Sequence, residues 1–182
     1  MNFLFFVAYI GETLSNSGHF IGTKGSKEDN EVKETNQTSK PLLNENLSKE
    51  ENELIQNVID QGFKISPDKV LAIGKMPNGK IVWVEEGKLG ERASGLAHIL
   101  DKRENDFISR GISKDKVAEF VIEVITHGKK IGIQGSRKPP RDVFEYNYKE
   151  QTIYLAVSIS DNGYVVGTNF TNKNRINEEK EK

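Results

Sequence analysis

Two Asn-Gly pairs, each set between apolar runs, constrain this chain more than any other feature. Val70-Leu71-Ala72-Ile73 and Ile81-Val82-Trp83-Val84 flank Pro77-Asn78-Gly79. The run from Ile153 to Ile159 and the run from Tyr164 to Thr168 flank Asp161-Asn162-Gly163. Asn-Gly is the strongest short hairpin signal, because a tight turn asks for positive φ at its centre. The fold must therefore accommodate two antiparallel hairpins. Glu85-Glu86-Gly87 ends the first.

Helical patterns lie before and between them. Ser48-Lys49-Glu50-Glu51 fits a capping box, in which the hydroxyl satisfies an orphan N–H and Glu51 reaches back. Leu54, Ile55, Val58 and Ile59 then recur at helical spacing, and Gly62 is a C-terminal stop. A second helix runs from about Gly95 to Ser109 with Ser94 as its N-cap. Leu96, Ile99, Leu100 and Phe107 share its apolar stripe. At about 100° per residue, His98 points nearly opposite that stripe, together with Lys102 and Asn105. Gly111 breaks this helix. Ser113 caps a third, whose buried face is Val117, Phe120, Val121, Val124 and Ile125, and Gly128 ends it. Lys130 to Ile133 reads as a short strand. Val143 to Tyr148 alternates, with Val143, Glu145 and Asn147 on one side and Phe144, Tyr146 and Tyr148 on the other. Ile153 to Ile159 is more apolar and reads as a central strand; Trp83 reads as core. The sum is an α+β domain: N-terminal helices packed on a roughly four-stranded antiparallel sheet, plus an upstream β-hairpin.

Composition bounds the rest. Hydrophobic residues make up 35% of the 182, below the roughly 45–50% of globular chains, so part of the chain is not core-forming. Residues 1–47 are that part. Phe3 to Ile10 is apolar but much shorter than the roughly 20 residues of a membrane-spanning helix. No Lys or Arg precedes Lys24, so a secretory signal is incomplete. The stretch up to 47 is polar and reads as a disordered linker. The segments are then 1–47 (apolar start and linker), 48–87 (helix and hairpin lead-in), 88–170 (core) and 171–182 (charged flexible tail).

The absence of cysteine excludes a disulfide scaffold, a thiolate zinc site and a cysteine nucleophile. Three histidines argue against a histidine-rich metal site. Net charge is −1, with 10 basic and 13 acidic residues in 1–90 and 16 and 14 in 91–182. That surplus is an ordinary solvated surface rather than a nucleic-acid footprint. No phosphate loop, GxGxxG, HExxH or GxSxG is present. These gaps argue against a nucleotide hydrolase, a nicotinamide enzyme and a zinc protease. They leave open a small acid–base enzyme with no cofactor and no metal.

Gly95-Leu96-Ala97-His98-Ile99-Leu100, Asp106-Phe107 and Arg110-Gly111-Ile112-Ser113 resemble the start of a toxin nuclease domain. Such domains end contact-dependent growth-inhibition proteins and related filamentous-haemagglutinin-like polymorphic toxins. Ile65 to Val70, the Asn78–Glu86 hairpin, Gly135 with the basic loop to Arg141, the Val143–Tyr148 strand, Ala156-Val157-Ser158-Ile159 and Asp161 to Val166 are similar too. The resemblance covers about residues 63–170. It implies the barnase/EndoU/colicin/RelE fold and metal-independent endoribonuclease activity, often on tRNA. It also implies a cognate immunity protein and delivery as part of a larger secreted or cell-surface toxin that acts in the target-cell cytoplasm. An orphan fragment would instead stay in the cytoplasm. The chain departs from the family where Asp101-Lys102-Arg103-Glu104 replaces a second histidine, where Tyr154 stands for a basic residue, and where Gly167-Thr168-Asn169-Phe170 lacks a following proline. Those departures keep a second reading open: a catalytically degenerate module that binds RNA or an immunity protein without cleaving.

Metal-free RNA cleavage needs a base for the 2′-hydroxyl, an acid for the 5′-oxygen and donors for the phosphate. Imidazole titrates near neutrality, so His98 is the candidate acid or base. Arg141, just before a strand, is a candidate phosphate clamp. Thr168 and Tyr146 are candidates to hydrogen-bond the phosphate. Lys102, Arg137 and Lys138 are weaker, non-specific phosphate contacts. His127, beside a helix stop, reads as a helix-dipole partner and no more.

Overall fold

Helix α1 (Lys49–Asp60) starts where its sequence says it should. Ser48 Oγ accepts from Glu51 N–H, and Glu51 Oε2 accepts from Ser48 N–H. The structure, a computed structural model, describes residues 43–136 and 139–177, all within one unit, Lys40–Lys182. The readings of residues 1–42, of Arg137 and Lys138, and of residues 178–182 lie outside the described residues.

The linker ends earlier than its composition suggests. Asn44 is 6% exposed, and its Nδ2 donates to Pro67 O at 2.8 Å and Val70 O at 2.9 Å. Its backbone N–H donates to Asn52 Oδ1 at 2.7 Å. A polar residue can close a fold when its amide replaces missing backbone partners.

β1 (Val70–Lys75) and β2 (Ile81–Glu85) form the first hairpin. Ala72, Val82 and Val84 belong to the main core, whereas Val70, Ile73, Ile81 and Trp83 pack with α1 residues Ile55 and Val58. Both faces are covered, which is why the runs are continuous rather than alternating. Trp83 is fully buried. The turn itself centres on Pro77-Asn78: Gly79 N–H donates to Met76 O, and Gly79 takes φ +87°. The second Asn-Gly turn repeats this geometry, with Gly163 N–H donating to Ser160 O and φ +105°.

α2 (Gly95–Ile108) and α3 (Val117–His127) follow. Four strands complete the fold: β3 (Lys129–Gln134), β4 (Arg141–Tyr148), β5 (Gln151–Ile159) and β6 (Val165–Thr171). They run antiparallel in the order β3-β4-β5-β6. The domain is α+β, with helices N-terminal to a four-stranded antiparallel sheet and a separate two-stranded hairpin. Phe144, Leu155 and Val157 meet Phe107, Phe120, Val121 and Val124 in the core between sheet and helices. Val143 and Ala156 are fully buried on the opposite sheet face. Where that face ends, Gln134 Nε2 on β3 donates to Thr171 Oγ1 on β6 at 2.6 Å, so the two outer strands curl towards one another. The segment read as a flexible tail is ordered as far as Asn177, which exchanges two backbone hydrogen bonds with Ile133 on the outer edge of β3. An edge strand offers unpaired backbone groups, and this segment takes some of them. Among the described residues no helix is long and apolar enough to cross a membrane.

Candidate functional site

The first turn of α2 is clamped from three sides. Gly95 takes φ +71°, and a Cβ there would lie 2.7 Å from Gly87 Cα, 2.7 Å from Tyr164 Oη and 2.8 Å from Glu85 O. Only glycine fits such an approach. Ala97 N–H donates to Glu86 O at 2.9 Å. Ser94 does not cap the helix with its side chain; its Oγ accepts from Tyr164 Oη at 3.1 Å instead. Burial pushes the Tyr164 phenol above its ordinary range, outweighing the Ser94 bond that pulls it down.

This clamp sets His98, one turn in. The side chain is half-buried rather than on a free polar face. β6 is one of the two edge strands of the sheet, and α2 packs along it. Phe107 meets Phe170 at 5.0 Å between ring centroids, and His98 lies over Gly167. A Cβ on Gly167 would sit 3.2 Å from His98 Cδ2 and 3.6 Å from Nε2. His98 Nδ1 is buried and has no hydrogen-bond partner among the described residues. Asp101 is held below the usual carboxylate range, first by the Lys102 hydrogen bond and charge and to a lesser degree by His98. Lys102, 62% exposed, pairs with Asp101 at 2.8 Å.

Arg141 opens β4, and its Nε donates to Ser158 Oγ on β5 at 3.3 Å. Ser158 is the ladder partner of Gly167. Gln134, Arg141, Ser158 and Gly167 thus form one cross-strand row, with His98 on its end. Neighbouring strands lie about 4.8 Å apart, so the Arg141 and Gly167 backbones are separated by about 10 Å. An open cleft of about 770 Å³ borders the row, lined by Arg141, Ser158, Ser136, Ser160, Pro139, Pro140 and Val166 among others. The Arg141 guanidinium with the Ser136 and Ser158 hydroxyls is a donor set suited to a phosphate, whereas the Ser160 hydroxyl is committed to Asn162 Oδ1 and Tyr164 O.

The structure brings His98 and Arg141 to one row but leaves Thr168 and Tyr146 apart from it. Thr168 is 7% exposed, pairs with core residue Val157, and donates from Oγ1 to Ala156 O at 3.0 Å. Tyr146 lies on the helix-packed face and donates to the Glu123 carboxylate. That bond and burial push its phenol up to about 12. His127 is exposed at the end of α3, with Nδ1 against Thr126 Oγ1 at 2.9 Å and Glu123 O at 3.2 Å. Three residues of the row, Gln134, Ser158 and Gly167, escape sequence reasoning, although a glycine inside an apolar strand is itself a signal of close approach. Among the described residues no group of three or more histidine or acidic side chains gathers as a metal site. No protein-family model matches the chain, and no curated protein matches it.

Proposed function

We propose that this chain is a metal-independent endoribonuclease of the toxin type, acting on tRNA as its resemblance implies. The observation that carries the reading is the shared row: His98 seated on Gly167 at one end, and Arg141 bonded to Ser158 next along it. The 2′-oxygen attacks the neighbouring phosphorus, forming the 2′-O–P bond as the P–O5′ bond breaks. His98 either takes the 2′-hydroxyl proton or gives one to the leaving 5′-oxygen, and solvent handles the other transfer. Arg141 donates to the non-bridging oxygens as their charge grows. The products are a 2′,3′-cyclic phosphate and a 5′-hydroxyl. In this reading the chain is the active part of a larger delivered toxin, held inactive in its producer by an immunity protein.

A second reading has specific support. The hydroxyls of Thr168 and Tyr146 are committed to Ala156 O and Glu123, which leaves one imidazole and one guanidinium. A binding module that no longer cleaves fits that reduced set. The deciding experiment incubates the full chain with total bacterial tRNA in EDTA and analyses the ends. Discrete fragments carrying 2′,3′-cyclic phosphate support the enzyme. Retained binding without fragments supports the module.

A further inference from the structure

Gly167 stands in the interior of β6, where glycine loses conformational entropy and packs nothing. Its backbone is not in the left-handed region, so no turn geometry asks for glycine. The space a side chain would take is filled by the His98 ring. We infer that Gly167 is a positioning residue: its bare strand surface seats the His98 imidazole so that Nε2 is presented along the row holding Ser158 and Arg141.

A proton-transferring histidine usually has its second nitrogen tied to a carbonyl or carboxylate, which fixes tautomer and ring angle. His98 Nδ1 is buried without such a partner among the described residues. Packing must then set the ring angle, and the bare Gly167 backbone lets the ring lie closer than it could over a Cβ. A methyl group 3.2 Å from Cδ2 is tighter than the usual carbon–carbon separation of about 3.5–4.0 Å. The ring would have to turn or retreat by a few tenths of an ångström. Ser158 sits across the ladder from Gly167 and accepts from Arg141, so the same row places both the ring and the guanidinium. The catalytic meaning of this seat rests on the ribonuclease reading; the seat itself does not.

The test uses the full chain as wild type, Gly167→Ala, His98→Ala and the double variant. Imidazole ¹H–¹⁵N signals are followed by NMR titration, alongside tRNA cleavage and thermal midpoints. Gly167→Ala should shift the His98 ring signals and lower kcat about 10- to 100-fold with KM unchanged, as expected for a misplaced reacting group. His98→Ala is itself expected to be inactive, so adding Gly167→Ala to it is read by the thermal midpoint. That addition should lower the midpoint less than Gly167→Ala does in wild type, since the obstructing imidazole is gone. Unchanged ring signals in Gly167→Ala would overturn the inference. So would an equal loss of thermal midpoint in both backgrounds, a result that also decides the case if Gly167→Ala folds poorly. Shifted ring signals with no cleavage by wild type would leave the seat standing and remove the ribonuclease reading.

Discussion

Replacing Asn44 by alanine should destabilise the domain far more than a linker position would. Its Nδ2 donates to Pro67 O and Val70 O, and its Oδ1 accepts from Asn46 N–H. The Asn46 bond is near the surface, and water can replace it. The bond to Val70 O is buried and that to Pro67 O part-buried, and losing them leaves Val70 O without this partner at a buried position. At about 0.5–1.5 kcal/mol per net bond, plus part of the desolvation penalty for the stranded carbonyl, the loss is about 2–4 kcal/mol. A domain with roughly 5–15 kcal/mol in total would feel this strongly. With a urea slope of about 2 kcal/mol/M, the midpoint falls by about 1–2 M. Asn44→Asp sharpens the test. It keeps the shape but points a second oxygen at two carbonyls, so it should be at least as damaging as alanine. Urea titrations of the full chain, followed by the fluorescence of buried Trp83, read both variants. A midpoint unchanged in Asn44→Ala, or a milder effect for aspartate, would mean that these bonds do not hold residues 43–47 to the domain.

Two further outcomes follow from the geometry. Tyr146→Phe should leave tRNA cleavage unchanged, because the phenol is bonded to Glu123 and lies on the other sheet face from Ser158 and Gly167. In wild type its phenolate should appear near pH 12, read by ultraviolet absorbance. The unfolded phenol ionises near 10, so between about pH 10 and 12 the unfolded chain holds fewer protons. The stability this group contributes is therefore whole below about pH 10 and is lost as pH rises through 12, and Tyr146→Phe should remove that slope. Arg141→Lys keeps the charge but loses the planar fork; at about 1.5–3 kcal/mol for a charge-assisted bond, kcat for cleavage should fall roughly 10- to 100-fold.

Much of the fold was legible because glycine and capping residues mark it. Gly79 and Gly163 occupy positive φ where the chain reverses, and Ser48 with Glu51 closes its box. The turn between β4 and β5 carries no such mark: Lys149 and Glu150 take φ +48° and +64° without glycine or asparagine. That strain is overridden by the long β4–β5 ladder on either side, which no local pattern reveals. Asn44 reads as linker because polarity alone does not show the carbonyls of Pro67 and Val70, more than twenty residues away, that its side chain satisfies. The site was half legible. A helical wheel put His98 on a polar face with Lys102, but a wheel carries no information about β6, whose edge receives the ring. Thr168 read as the end of a strand; β6 runs on to Thr171, and the irregular register between Ser158 and Ile159 goes with a core-facing Thr168. Hydroxyl direction in a strand depends on such bulges, and these leave no trace in alternation alone.

The most direct test of the central claim compares the full chain with His98→Ala on total bacterial tRNA in EDTA, with circular dichroism confirming that both are folded. Discrete cleavage by wild type and none by the variant is the expected result. Equal cleavage by both would contradict the role given to His98, and no cleavage by folded wild type would contradict the ribonuclease itself.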